Sequence, residues 1–222
     1  TVRRFVNERL IPAEDAVEEA DAIPADIVSE IRTMGLFGLS VPEEFGGLGC
    51  TMSEESAIIR ELCRASIVYR SLIGTTVGIG SQGIVMDGTP EQKSEWLPKF
   101  ASGEAIASFA LTEPEAGSDA GSLRTTATRE GTIYRINGTK RYITNAPRAS
   151  MFTLMARTEA DVPGAAGISA FILPANTPGI SFGKPDKKMG QKGSVTCDVI
   201  LDDVVVPAAN IIGGVPGRGF KT

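Results

Sequence analysis

Near residue 106 the hydrophobic period of this chain changes, and no other feature constrains its fold as strongly. Upstream, apolar residues recur every three or four positions. Downstream, β-branched and aromatic residues alternate with polar ones. A pattern with a helical period cannot be satisfied by a strand, nor the reverse. The sequence therefore predicts an all-helical N-terminal domain over residues 1–107, followed by a β-rich middle domain over 108–213. The fold class is α+β and multidomain, with the second domain a β-barrel or sandwich. Residues 214–222, rich in glycine, read as the start of a linker to a further element.

In the helical part, Phe5, Val6 and Leu10 share a face before Pro12 interrupts it. Ile27, Val28, Ile31 and Met34 form a second stripe, with Pro24 at the first helical position and Gly35 as the C-terminal cap. Thr51 with Glu54, and Thr89 with Gln92, match capping boxes. The helix begun at Thr89 carries the only tryptophan, Trp96, and is expected to break before Pro98. Gly38, Pro42, Gly46, Gly47 and Gly49 make 36–49 a turn-rich link. Residues 71–86 are apolar yet contain Gly74, Gly78, Gly80 and Gly83. Each glycine inside a helix costs about 1 kcal/mol relative to alanine. Two explanations stay open: close packing of helices, or room left for a ligand tail.

Strands are expected at 106–111, 124–129, 133–136, 139–144, 150–157, 168–173, 180–182 and 195–206. Asn137-Gly138 predicts a type I′ hairpin between the third and fourth of these.

Composition removes several function classes. There are 27 acidic and 22 basic side chains and no dense basic run, which argues against a nucleic-acid partner. No apolar run approaches the roughly 18 residues of a membrane span, and residues 1–5 lack the apolar stretch of a secretory signal. Cys50, Cys63 and Cys197 are dispersed and odd in number, so they fit neither a metal site nor a disulfide framework. They read as free thiols in a reducing, cytoplasmic compartment. With no histidine, acid–base chemistry must come from a carboxylate, Lys, Tyr or a cofactor.

The stretch 109–119 sits where the two periods meet: a β-type run, a proline break, then a turn of small residues ending in Gly117-Ser118-Asp119. Such a turn can present N–H groups and a hydroxyl to a phosphate or an aromatic cofactor, although small residues before a serine also occur in ordinary loops. Tyr142-Ile143-Thr144 is either a strand end or a cofactor wall. Glu113 and Glu115 are paired carboxylates or, as expected here, part of a solvated turn. Lys184, Lys187, Lys188 and Lys192 form a basic cluster, read as a solvated face or as an attractor of phosphates or of an electron-accepting partner.

Taken together, these segments resemble the acyl-CoA dehydrogenase flavoprotein family. The matching residues run in order: Phe45-Gly46-Gly47-Leu48-Gly49, Leu111-Thr112-Glu113-Pro114 with Gly117-Ser118-Asp119, and Ile136-Asn137-Gly138-Thr139-Lys140-Arg141-Tyr142-Ile143-Thr144-Asn145. Thr177-Pro178-Gly179-Ile180, Met189-Gly190-Gln191-Lys192 with Ser194 and Thr196, Asp203-Val204-Val205-Val206-Pro207, and Gly219-Phe220 follow. The resemblance spans essentially the whole chain. It implies a helical N-terminal domain, a β-rich middle domain and a helical C-terminal domain. The third is expected to lie beyond Thr222 and to supply the glutamate base, so no catalytic residue is assigned within these 222 residues.

By the same resemblance the cofactor is FAD. Phe109, Ala110, Leu111 and Thr112 would form one wall, with Thr112 bonding the flavin's pyrimidine side. Gly117 and Ser118 would approach the pyrophosphate, and Ser118 also the pantetheine arm of the substrate. Tyr142, Ile143 and Thr144 would form the other wall, with the Thr144 hydroxyl at flavin N5. Tyr142 departs from the family's usual tryptophan and offers a smaller aromatic face. No metal site is expected. The implied reaction is α,β-desaturation of an acyl-CoA thioester in a homotetramer or homodimer that passes electrons to an electron-transfer flavoprotein. The implied compartment is the bacterial cytoplasm or, in a eukaryote, the mitochondrial matrix. An acyl-CoA oxidase on the same fold, or a non-catalytic flavin- or CoA-binding module for residues 1–222 alone, are the alternatives.

Overall fold

A computed structural model describes residues 1–222. The helical half begins with α1 (Val2–Phe5), which passes through a π-helical turn (Val6–Leu10) and a 3₁₀ turn (Ile11–Ala13) into α2 (Glu14–Ala20). It continues with α3 (Ala25–Thr33), α4 (Met52–Leu62) and α5 (Ile67–Gly74). A second π-helical turn (Thr75–Gly80) leads on to α6 (Gln82–Asp87) and then α7 (Pro90–Ser102). None of these helices is long and apolar enough to cross a membrane. The β half contains β1 (Ala107–Ala110), β2 (Thr126–Glu130), β3 (Ile133–Thr144), β4 (Met151–Arg157), β5 (Ile168–Pro174), β6 (Ile180–Phe182) and β7 (Thr196–Pro207).

Both capping boxes form. Thr51 N–H donates to Glu54 at 2.8 Å, and Thr89 N–H donates to Gln92 Oε1 at 3.0 Å. Gly35 ends the α3 segment at φ +72°, where only glycine is unstrained. Pro24 lies one position earlier than expected, as the extended cap of α3. Helix α7 does not break before Pro98 but runs through it to Ser102. Trp96, Leu97, Phe100 and Ala101 are all buried, and that packing offsets the roughly 3 kcal/mol that an interior proline costs.

The seven strands form one curled, mixed sheet in the order β1-β4-β2-β3-β7-β6, with β5 antiparallel to β4 and β1 parallel to it. Asn137-Gly138 is not a hairpin turn. β3 continues through it and stays paired with β7 on both sides, with a bulge between Ile136 and Gly138. An ideal Cβ on Gly138 would lie 2.4 Å from Thr125 Oγ1 and 2.8 Å from Thr125 Cα, so the glycine permits a close approach. The Asn137 side chain exchanges hydrogen bonds with Asp203 on β7, at 3.1 and 2.8 Å. The chain reverses instead at Gly131-Thr132, between β2 and β3.

Three cores hold the molecule together. One lies within the helices around Leu10, Ile31, Phe37 and Tyr69. Another lies within the sheet around Ile136, Phe152, Phe171 and Val199. The third joins Trp96, Leu97 and Phe100 of α7 to Ala107, Met151, Met155 and Ile168, so helices and sheet share an apolar interior. Leu36, Phe37, Leu39 and Val41 are buried, which makes the first part of the turn-rich 36–49 link part of the core, while 43–49 stays at the surface. The 214–222 segment is likewise docked: Gly217 N–H donates to Ser169 Oγ at 2.8 Å and Gly219 N–H to Ile168 O at 2.9 Å.

Gln92 fastens the two halves. Its Nε2 donates to Ala209 O and Ile211 O, both at 2.8 Å, and its Oε1 accepts from Gly213 N–H at 3.2 Å. Gln92→Leu strands these buried backbone groups and is expected to destabilise the protein by about 2 kcal/mol. The check is a lower urea midpoint at unchanged slope; an unmoved midpoint would refute it.

Candidate functional site

β1 leaves the sheet after Ala110, and the next residues are held by bonds from β3. Thr112 O accepts from Arg141 N–H at 2.7 Å. Glu113 and Ala116 exchange backbone bonds at 3.0 and 3.3 Å, which closes the turn around Pro114. Glu113 is only 4% exposed, so it does not belong to a solvated turn as expected. Its Oε1 accepts from Lys140 Nζ at 2.7 Å and Thr125 N–H at 2.9 Å, and its Oε2 from Arg124 N–H at 2.6 Å. Lys140, 0% exposed, also donates to Leu111 O at 3.0 Å. The inward position of Lys140 was legible in one respect: it follows the buried Tyr134 and Ile136 at even spacing on β3. Glu115 is exposed, as expected.

Burial pushes the Glu113 carboxyl up, but bonds from Lys140, Thr125 and Arg124 outweigh it and hold the group below the usual carboxylate range. Burial pulls the Lys140 ammonium down to about 8, against the opposing pull of Glu113. Both groups are therefore ionised at neutral pH.

A second irregularity on β3 shifts the register between Lys140 and Ile143. Tyr142, in this bulge, adopts φ +59° and is 59% exposed, with the Arg141 guanidinium 4.9 Å from the ring centroid. A left-handed aromatic residue stores strain of order 1–3 kcal/mol, and such strain clusters at ligand sites.

A cleft of about 770 Å³ opens between α5 with its π-helical turn and the adjacent strand ends. It is lined by Phe109, Leu111, Thr112, Tyr142, Ile143 and Thr144, six of the nominated residues. The other three lie elsewhere. The Ala110 methyl is buried in the sheet core, which leaves only its backbone near the wall. Gly117 and Ser118 are exposed in the turn, outside this lining. The Thr112 N–H has no partner within the chain. The cleft also holds two cations, Arg70 and Lys188, and no carboxylate, which suits an anionic ligand. Arg70 and Ser71 were not anticipated, although the charge of Arg70 stands out in an otherwise apolar run, and Gln191 belongs to one of the matching motifs but had no assigned place in the site. Lys188 is no solvated lysine, because its ammonium donates to Gln191 O at 3.0 Å and to Ser194 O.

A second cleft, of about 680 Å³ and largely apolar, shares Gly78, Ile79, Phe109 and Leu111 with the first. Cys50, Met52, Met155 and Phe220 line it further, with Glu55 its one carboxylate. Burial pushes the Glu55 carboxyl up, against the pull of Arg70. The glycine-rich stretch contains both close packing and open space, at different glycines. A Cβ on Gly80 would lie 2.4 Å from Thr75 O and 2.7 Å from Ala107 Cβ, which is close packing. A Cβ on Gly78 would meet nothing within 4 Å, which is open space facing both clefts.

Residues 1–104 match the family model of the acyl-CoA dehydrogenase N-terminal domain, and residues 108–204 that of the middle domain. An acyl-CoA dehydrogenase of Bacillus subtilis (strain 168) is 40% identical over 219 residues, a match covering 99% of this chain and 57% of that protein. Among solved structures, butyryl-CoA dehydrogenase of Megasphaera elsdenii superposes with a TM-score of 0.92 at 32% identity, covering 99% of this chain and 58% of the other. An acyl-CoA dehydrogenase complexed with FAD from Bacillus anthracis gives 0.87 at 36% identity, covering 99% and 37%. The chain thus spans little more than half the length of the first of these relatives. With matches to both domain models, in chain order and on the observed fold, the chain belongs to the acyl-CoA dehydrogenase family.

Proposed function

We propose that this chain is the helical and β-rich portion, divided near residues 107 and 213, of a FAD-dependent acyl-CoA dehydrogenase acting on the α,β-bond of an acyl-CoA thioester. The observation that carries the proposal is the pair of adjoining clefts, one polar and cationic, one apolar, with a shared wall at Gly78, Ile79, Phe109 and Leu111. A polar aromatic cofactor and an aliphatic tail need such neighbouring spaces.

The residues present fit the flavin. The unpartnered Thr112 N–H offers a donor, the ring of the exposed Tyr142 offers a packing face, and the cationic lining favours a diphosphate. When bound, FAD supplies the two-electron acceptor that takes the β-hydrogen as hydride. Thr112 would hold and orient its pyrimidine side, and the Thr144 hydroxyl would place a donor at the accepting nitrogen. Phe109 and Ile79 would exclude water from the join of the two clefts. Gly117 and Ser118, exposed beside the turn, are proposed to meet the pyrophosphate, and Ser118 also the pantetheine arm. Glu113 cannot be the base that takes the α-proton: it is buried and already paired with Lys140. The base is proposed to come from the part of the relatives' length that residues 1–222 do not span. An electron-transfer flavoprotein as electron acceptor, a homotetrameric or homodimeric assembly, and a cytoplasmic or mitochondrial-matrix location complete the proposal.

The test uses the full-length protein under anaerobic conditions. One yellow FAD per chain should bleach on addition of an acyl-CoA, and a protein without flavin would sink the proposal. Peroxide produced during turnover in air would turn it into an oxidase. Residues 1–222 alone are expected to bind FAD weakly and to leave it unbleached.

A further inference from the structure

We propose that Lys140 and Glu113 are a positioning pair that aims the Thr112 backbone N–H into the polar cleft as a donor to the cofactor; this rests on the flavin assignment above. Three bonds define the arrangement. Lys140 Nζ holds Leu111 O at 3.0 Å, Glu113 Oε1 holds Lys140 Nζ at 2.7 Å, and Arg141 N–H holds Thr112 O at 2.7 Å. In a trans peptide the C=O and the following N–H point in opposite directions. The Leu111 carbonyl points at a lysine that is wholly buried and outside the cleft. The Thr112 N–H of the same peptide therefore points the other way, where Leu111 and Thr112 line the cleft. It finds no acceptor inside the chain.

Stability alone gives no reason for such a pair. A buried ion pair is often no better than apolar side chains of the same volume, because desolvation offsets the attraction. Its distinctive property is directional. The ammonium fixes one peptide plane, while the carboxylate, held by the Arg124 and Thr125 N–H groups, fixes the ammonium. A donor aimed at the pyrimidine side favours the reduced flavin, which carries more negative charge there, over the oxidised form.

The test compares the full-length wild type with Lys140→Gln and Glu113→Gln, each loaded with FAD. The readouts are the dissociation constants for oxidised and reduced flavin and the melting temperature of the apoprotein. Each variant is expected to lose affinity for reduced flavin at least tenfold more than for oxidised flavin, a midpoint potential lower by about 30 mV. An unchanged ratio with only a lower apoprotein melting temperature means that the pair is merely structural, and overturns the proposal. Hydrogen exchange of the wild type over 109–113 gives an answer that needs no variant. Bound FAD should protect the Thr112 amide, and equal exchange with and without FAD defeats the pair while the flavin assignment stands. A wild type that takes up no FAD defeats that assignment and this inference together.

Discussion

Lys140→Met is expected to destabilise the protein by about 3–5 kcal/mol, the cost of removing one partner from a buried ion pair. The substitution strands the Glu113 carboxylate, 3% exposed in its side chain, without its cation, and leaves the Leu111 carbonyl without its donor. Adding Glu113→Gln should restore part of the loss. Glutamine removes the stranded charge and keeps an acceptor for one of the Arg124 and Thr125 N–H groups, but not for both. The loss should also depend on pH, with a definite sign. In the wild type the folded Glu113 carboxyl sits below its ordinary value of 4.5. Its contribution is therefore fully present above 4.5 and is lost as pH falls through the lowered folded value. Without Lys140 the buried carboxyl protonates at higher pH, so the stability gap should narrow in acid. Denaturant unfolding of wild type, single and double variants at neutral and acidic pH measures all of this. A single variant as stable as wild type, or a gap that stays constant with pH, would show that the pair does not hold the turn.

Gly78→Leu should do the opposite, leaving the fold intact and blocking the clefts. No atom lies within 4 Å of the Cβ position at Gly78, and replacing a glycine inside a helix gains about 0.5–1 kcal/mol. The new side chain would project where the two clefts meet. Acyl-CoA affinity of the full-length protein is expected to fall at least tenfold (about 1.4 kcal/mol) with no loss of thermal stability. Gly80→Ala, two residues on, should lose about 1–3 kcal/mol, because its methyl would run into Thr75 O and Ala107. Titration with a panel of acyl-CoAs, alongside thermal melts, separates the two effects. Unaltered acyl-CoA affinity in Gly78→Leu would remove the apolar cleft as the seat of the acyl tail.

How much of this was legible beforehand depended on the range of the interactions involved. The capping boxes at Thr51 and Thr89 are complete within four residues, and both form as read. The change of period at 106 likewise lies between the end of α7 at Ser102 and the start of β1 at Ala107. Local rules failed where distant partners decided the outcome. Pro98 stays within α7 because Trp96, Leu97 and Phe100 find a core shared with the sheet. Asn137-Gly138 is a bulge because β7 keeps pairing past it and Thr125 crowds the glycine. Glu113 faces inward because its three donors come from positions 11 to 27 residues away.

The candidate site divides in the same way. Sequence motifs named two of the stretches that line the polar cleft, at 109–112 and 142–144, and matched them to a family. They did not name Arg70 and Ser71, and they gave no role in the cleft to Gln191, which one of the motifs contains; packing brings all three there. By itself the sequence determined the helical and β-rich halves, their caps and the family, because period, capping and motif order are properties of neighbouring residues. Only the tertiary structure decided that Gly78 opens onto both clefts while Gly80 is sealed, and that Lys140 and Glu113 meet in the interior. Those outcomes depend on which distant atoms share a space, and no local pattern of residues encodes that.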